Sequence, residues 1–482
     1  MNYKLVFHIL GMILRVEAVL MLPATIIAFA SGDGDGTALL ASMLITLAVG
    51  QLLTMLPGKN QTMRARDGFA AVALVWVVLS LFGALPYTLS GVMPNYVDAV
   101  FETISGFTTT GATVLTFIEG QPTGILFWRA QTQWMGGMGV LVLALALMPK
   151  LGEGSVYLMR AESPGPIKSK LTPRINDTAK ILYSIYIGLT VAEVICLMIA
   201  GMPLYDAVIH AFTTISTGGF SVKNGSIAAY GSLAIEWIII IFMFLSGINF
   251  ALLYFVLLRN FRAVFESEEL RAYTFMTVGA SALIVLDLVL HAAWALDVRT
   301  VTDSVFQVVT LMTTTGYMTY DYVLWPTFSQ VVLILVMFAG GCAGSTAGGV
   351  KQIRVVLLFK NLHREVQRIL HPRVVKTIKS DGDRVDEPIL SGITLFFFAY
   401  IFLLLAGTLV VAWDDIGFTA SFTASLTCIS NVGPAFDVLG PTSNFFSLSN
   451  VSKVILSANM LLGRLEIMPL LLLLFPSLWK KR

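Results

Sequence analysis

Long apolar stretches separated by short polar turns run through the whole chain. The first, over residues 8–30, is long enough to cross a bilayer. It carries Arg15 and Glu17 and passes through Ala28-Phe29-Ala30, a faint match to a signal-peptidase site. Its length and its charges predict a retained helix instead of a cleaved leader. Ser31 to Gly36 alternates Gly and Asp and reads as a tight turn, and a second span follows over 37–57.

Beyond it the pattern repeats four times, and the repeat decides the fold. Each unit has a spanning helix, a half-length apolar helix, a turn of Thr, Ser or Asn with Gly, and a second spanning helix. The first helices are expected over 68–90, 178–201, 272–296 and 389–412, and the second over 124–148, 232–258, 327–358 and 450–475. The half-helices and their turns align without a gap: Asp98 to Gly111, Asp206 to Gly219, Asp303 to Gly316, and Ala420 to Gly433. Such segments are too short to cross a hydrocarbon core of about 30 Å, so they must re-enter from one side. The predicted fold is an all-α polytopic membrane protein with four pseudo-symmetric helix–re-entrant helix–helix repeats around one pore. The division is a two-helix segment over 1–66 and repeats over 67–150, 151–260, 261–370 and 371–482.

Composition agrees with this reading. Of 482 residues 56% are hydrophobic and only 12% charged, which excludes a soluble enzyme and a disordered chain. A net charge of +2 gives no case for nucleic acid. Cys196, Cys342 and Cys428 fall in or beside apolar segments without a spacing motif, and the five His are scattered, so neither disulfides nor a metal centre is expected. Lys and Arg set the orientation. Loop 149–180 carries six and loop 351–388 nine, and Arg259, Arg262, Arg271 and the Lys480-Lys481-Arg482 tail lie on the same side. The opposite side has Lys223, Arg299 and the helix-start charges Arg129 and Lys453. Ten spans, both termini inside and four segments re-entering from outside follow.

Non-helical backbone at membrane depth is tolerated only where protein buries it or water lines it. A pore needs oxygens that replace a cation's hydration shell, and inward-turned backbone carbonyls supply them. Gly permits the positive φ such a turn needs, and Thr adds a hydroxyl on a stiff wall. The candidate ion-binding residues are Thr109, Thr110 and Gly111; Thr217, Gly218 and Gly219; Thr314, Thr315 and Gly316; and Asn431, Val432 and Gly433. With no carboxylate among them, a monovalent cation is favoured. A plainer reading has each Gly merely capping a short helix; four turns in one register argue against it.

These four units, each with one turn glycine, resemble the superfamily of potassium transporters that includes the Trk, Ktr and HKT proteins. The two extra N-terminal helices and the chain length fit the membrane subunit of bacterial Trk uptake systems. The resemblance spans essentially the whole chain. It implies that Gly111, Gly219, Gly316 and Gly433 form a selectivity filter and that potassium is the transported ion, since Gly stands at all four positions. It implies a homodimer in the bacterial inner membrane, and a cytosolic partner: a TrkA-like ring of nucleotide-binding subunits seated on the basic loops. This chain lacks a dinucleotide fingerprint and is expected to bind no nucleotide or other cofactor itself.

Other features have two readings each. Asp98, Asp206 and Asp303 open three half-helices; they read as N-caps, or as a negative vestibule that gathers cations. Glu102 and His210 read as packing residues with polar partners. Ala339 to Gly349 is rich in Gly at mid-membrane. Gly340, Gly344 and Gly348 fit close helix packing, yet the stretch predicts a broken helix with an intramembrane loop. In the family the matching segment blocks the pore below the filter, which makes Gly340, Gly341, Gly344, Ser345, Thr346, Gly348 and Gly349 candidate gating residues. Gly136, Gly137, Gly139, Ser246, Gly247 and Gly463 occupy comparable points, with weaker breaks expected. Arg464 lies mid-helix, where a charge is costly. It reads either as half of a salt bridge to another helix or as a pore-facing gate residue, and the resemblance favours the gate. A sodium- or proton-coupled symporter of the same superfamily remains an alternative function. A membrane-embedded lipid-modifying enzyme would need clustered Asp, His or Lys near an interface, and none is present; a bare scaffold leaves the four turns unexplained.

Overall fold

The computed structural model describes residues 3–55, 65–139, 175–372, 376–473 and 475–476. Most of loop 149–180, residue 373 and the basic C-terminal tail lie outside the described residues, as does repeat one's second helix beyond residue 139. The fold is helical and polytopic. Among the described residues, six helices are long and apolar enough to cross a membrane: Tyr3–Ser31, Gly36–Met55, Asp67–Leu89, Asp177–Ile199, Glu268–His291 and Glu387–Asp414. These are the two N-terminal spans and the first helix of each repeat, close to the expected limits.

Residue placement departs from that of a soluble protein. Phe275, Leu409 and Phe398 point outward at 81%, 76% and 69% exposure, while many Thr, Ser, Gln and Glu side chains are buried among the apolar core. A water-soluble surface does not carry apolar area on that scale; a lipid-facing one requires it.

Among the described residues, the second helices do not run unbroken through the expected spans. Repeat one's runs Thr123–Gly137. Repeat two's splits into Leu233–Ser246 and Phe250–Leu257, bent by 101°. Repeat three's stops at Ala339 and resumes at Gln352. Repeat four's stops at Arg464, passes positive φ at Glu466 and Ile467, and resumes at Met468. The break in repeat two is therefore sharp, contrary to the weak one expected at Ser246 and Gly247. Each break falls beside the end of a half-helix. A Cβ on Gly136 would collide with the carbonyl of Phe107, and one on Gly463 with that of Ile429.

The half-helices are Tyr96–Phe107, Leu204–Ile215, Val298–Met312 and Phe418–Ser430. Three begin upstream of the expected Asp, so Asp98, Asp206 and Asp303 are not N-caps. Asn95 and Asp297 cap two of the helices, accepting from Val97 and Thr300 N–H, and the helix after Pro203 has no side-chain cap. Pro203 and Asn95 both hold extended ψ, which sets the chain entering the helix.

Candidate functional site

All four half-helices end alike. Thr109, Thr217, Thr314 and Asn431 adopt left-handed φ of 55°, 56°, 58° and 56°. The next N–H reaches back five residues: Thr110 to the Ser105 carbonyl, Gly218 to Thr213, Thr315 to Thr310 and Val432 to Thr427, at 2.8–2.9 Å. This is a Schellman closure, and its left-handed residue is Thr or Asn. The capping role therefore does not belong to the turn glycines. They form a second left-handed point two residues on, with φ of 82° at Gly111, 77° at Gly219, 84° at Gly316 and 105° at Gly433. The residue between keeps an ordinary φ. Alternating hand turns successive carbonyls toward one side, unlike a strand, in which they alternate.

The turns close into a ring in chain order. A Cβ built on Gly111 would run into the Gly218 carbonyl oxygen, on Gly219 into that of Thr315, and on Gly316 into that of Val432. On Gly433 it would lie 2.6 Å from the Thr110 oxygen. Each glycine thus backs onto the middle carbonyl of the next repeat, and repeat four returns to repeat one. The twelve candidate residues are brought together, and nearly all are buried.

Side chains behind the ring hold it. Gln133 donates to the Gly218 oxygen at 2.6 Å and accepts from Phe220 N–H at 3.1 Å. Asn431 donates to the Thr110 hydroxyl and to the Met460 carbonyl, both at 2.9 Å. Thr108 bonds the Thr110 hydroxyl at 2.7 Å, and Thr313 that of Thr315 at 2.8 Å. The chain leaving each turn is tied to its own half-helix. Glu102 accepts from Val114 N–H at 2.8 Å and from Arg129 at 2.6 Å. In register with it, His210 bonds Ser221 at 3.1 Å and Gln307 donates to the Tyr320 carbonyl at 3.1 Å. In repeat four Ala424 takes that position, and Thr423 accepts from Phe436 N–H at 3.1 Å instead. Gln133 and Arg129 carry no motif in the sequence; their spacing from the turns only becomes meaningful once the helices are packed.

One face of the ring opens to a vestibule of about 150 Å³ that touches all four glycines. No carboxylate lines it, and the charges present are Arg129 and Lys223. The acidic vestibule is therefore not what these residues build. Asp98 is buried against Lys453 at 2.7 Å, Asp303 bonds Arg299 at 2.8 Å, and Asp206 accepts from Tyr230 at 2.6 Å.

On the opposite face lies the segment between Ala339 and Gln352, which is not helical. Gly340, Gly344 and Gly349 take positive φ, as does Lys351 at 78°. Gly348 N–H donates to the Thr314 hydroxyl at 2.6 Å, and Gly349 N–H to the Ser430 carbonyl at 2.8 Å. Cys342 N–H reaches the Gly247 carbonyl at 2.9 Å, and Thr346 Oγ1 donates to the Ser246 carbonyl at 3.1 Å, so the loop docks into the break of repeat two. Gly341 and Ser345 belong to the same loop. Arg464 reaches three carbonyls: Nη1 to Thr346 at 2.9 Å, and Nη2 to Gly136 at 2.7 Å and Gly137 at 2.6 Å. It bridges the loop to the broken end of repeat one. Glu466 pairs with Arg354. A cavity of about 100 Å³ under the ring is bordered by Arg464, Lys351, Gly348 and Asn431.

Comparison with known proteins yields one consistent picture. Residues 36–481 match the TrkH family, described as cation transport protein. The Trk system potassium uptake protein TrkH of Escherichia coli K12 is 39% identical over the full length of both chains. The protein of that name from Halomonas elongata is 40% identical, also over the full length of both. The crystal structure of the potassium transporter TrkH from Vibrio parahaemolyticus superposes with a TM-score of 0.88 at 35% identity, covering all of both chains.

Proposed function

The chain belongs to the TrkH family of cation transport proteins, and from that premise we propose that it carries potassium across the bacterial inner membrane as the membrane subunit of a Trk uptake system. Its full-length relatives are named as transporters, not enzymes. The observation that carries the proposal is the closed ring of four left-handed turns between a vestibule on one face and a cavity on the other. Carbonyl and Thr oxygens there replace the hydration shell of a monovalent cation, and no carboxylate is present to favour a divalent one. Gly111, Gly219, Gly316 and Gly433 permit the turn, and the neighbouring Thr109–Thr110, Thr217–Gly218, Thr314–Thr315 and Asn431–Val432 supply the oxygens.

The Gly340–Gly349 loop and Arg464 act as the gate in this reading. The loop touches Thr314 directly, and the guanidinium supplies positive charge on the inner side of the ring. Opening needs a partner. A nucleotide-binding ring on the inner basic surface fits that role, with a homodimer of this chain above it; the nucleotide belongs to the ring. The name of the Trk systems, in which the relatives are potassium uptake proteins, accords with work alongside other components.

The test is flux into vesicles holding the purified chain, with potassium, rubidium and sodium compared, with and without a pH gradient and with and without the nucleotide-loaded partner. Potassium and rubidium flux that exceeds sodium flux is expected. Absence of potassium and rubidium flux under every condition overturns the proposal, and flux that stops without a sodium or proton gradient replaces channel-like flow by coupled transport.

A further inference from the structure

Glu269 is the second residue of the first helix of repeat three, and its carboxylate is buried. A single oxygen, Oε1, accepts from Ala343 N–H at 2.7 Å and from Ile353 N–H at 3.1 Å. Ala343 lies near the start of the intramembrane loop and Ile353 just past its end. One carboxylate oxygen therefore pinches together both ends of a segment that otherwise has no regular structure.

The same helical turn faces away from the loop as well. Glu268 N–H donates to Asp381 at 2.7 Å, and the Glu268 carboxylate pairs with Lys360. Lys360 also donates to the Lys379 carbonyl at 2.8 Å. Lys379–Ser380 and Asp383–Arg384 form a small antiparallel hairpin. Beside the hairpin lies a cavity of about 410 Å³, bordered by Glu269, Asn249, Leu357, Asp381 and Arg384. The hairpin connects to Glu269 through the Glu268–Glu269 turn, through the helix that carries Lys360 and Ile353, and through Ile378, which packs with Ala343 and Ile353.

We propose that Glu269 is a latch that holds the intramembrane loop shut, and that the 379–384 hairpin sets the position of the latch. Its effect on transport rests on the reading of the loop as the gate. Charge-assisted hydrogen bonds to buried N–H groups are among the stronger ones, and truncating the acceptor leaves both N–H groups without it. A hairpin displaced by a partner seated on the inner surface pulls on Asp381, moves the start of the helix and frees both loop ends at once. Glu269 is a positioning residue here, touching the loop backbone and not the ion.

The loop carries its own reporter, since Cys342 lies next to Ala343 and is fully buried. Full-length chains that keep only Cys342, or only Cys428 in the buried half-helix of repeat four, are reconstituted and treated from the inner side with a cationic methanethiosulfonate. Glu269→Ala is expected to speed modification of Cys342 by on the order of tenfold. Glu269→Gln keeps an acceptor oxygen and is expected to stay near the parent rate. Asp381→Ala is expected to speed Cys342 modification by a smaller factor, and Cys428 is expected to stay protected throughout. A folded Glu269→Ala chain with unchanged Cys342 reactivity overturns the latch, as does Cys428 opening in step, which means general loosening. An unchanged rate in Asp381→Ala removes the hairpin from it. Rubidium flux measured on the same vesicles separates the two readings: faster modification with unaltered flux leaves the latch standing and removes the loop from the gate.

Discussion

Gly348 donates its backbone N–H to the side-chain oxygen of Thr314 at 2.6 Å. The intramembrane loop and the ring of turns therefore share a hydrogen bond. Thr314 is also the left-handed residue of its turn, and its β-branched side chain is stiff about χ1. Displacing the loop leaves that hydroxyl without its donor, so any movement of the loop is felt at the turn of repeat three.

Gly111→Ser, Gly219→Ala and Gly316→Ala each add a Cβ where φ is positive and the next repeat's carbonyl already fills the space. The conformation alone costs an L-residue about 1–2 kcal/mol. We expect the potassium-to-sodium flux ratio to fall by on the order of tenfold while the protein still folds. An unchanged ratio in all three variants would take these turns out of the ion path.

Arg464→Ala removes both a charge and three carbonyl contacts. At an effective dielectric near 20, like charges about 6 Å apart repel by roughly 3 kcal/mol. Relief of that barrier raises permeation by up to about a hundredfold. The expected result is higher rubidium flux per folded molecule and weaker dependence on the partner. If Arg464 only props the loop against Gly136 and Gly137, flux per folded molecule stays the same or drops.

Asn431 combines two functions that substitution can separate. Asn431→Gly keeps the left-handed turn and loses the bonds to Thr110 and Met460; Asn431→Asp keeps the shape and loses the donor. Each is expected to lower thermal stability by roughly 1–3 kcal/mol and to broaden selectivity. A melting curve that does not move in either variant shows that the Asn431 amide is not bonded as described.

Asp98 and Lys453 form a buried pair between the half-helix of repeat one and the second helix of repeat four. Lys453→Met alone strands a buried carboxylate and is expected to cost about 3–5 kcal/mol in unfolding. Asp98→Asn combined with Lys453→Met should recover most of that. A double variant as unstable as the single one argues against the pair.

What the sequence made legible has a physical reason. Helix placement followed from apolar run length, and the turns from Gly and Thr at one offset in four copies. The loop was readable because Gly340 to Gly349 cannot hold a helix. The breaks at Ser246 and Glu466 were harder to see, since apolar flanks such as Ile238–Phe242 and Leu470–Leu473 look continuous by composition. Asp98 was misread because its partner is remote, Lys453 lying 355 positions away; Arg299 is only four residues from Asp303, but a cap and an ion pair at that spacing look alike in sequence. Gln133 and Glu269 carried no local signal at all, because both act on backbone that only tertiary packing brings to them.

The order in which each glycine backs onto the next repeat means that one polypeptide supplies all four walls of the ring. A pore assembled from four copies must repeat every change four times. Here a wall is edited alone: Gln133 braces the turn of repeat two, Asn431 that of repeat four, and the loop presses from below on repeat three. Departure from fourfold symmetry is thus open to inheritance one quadrant at a time, and the quadrants need not be chemically equal.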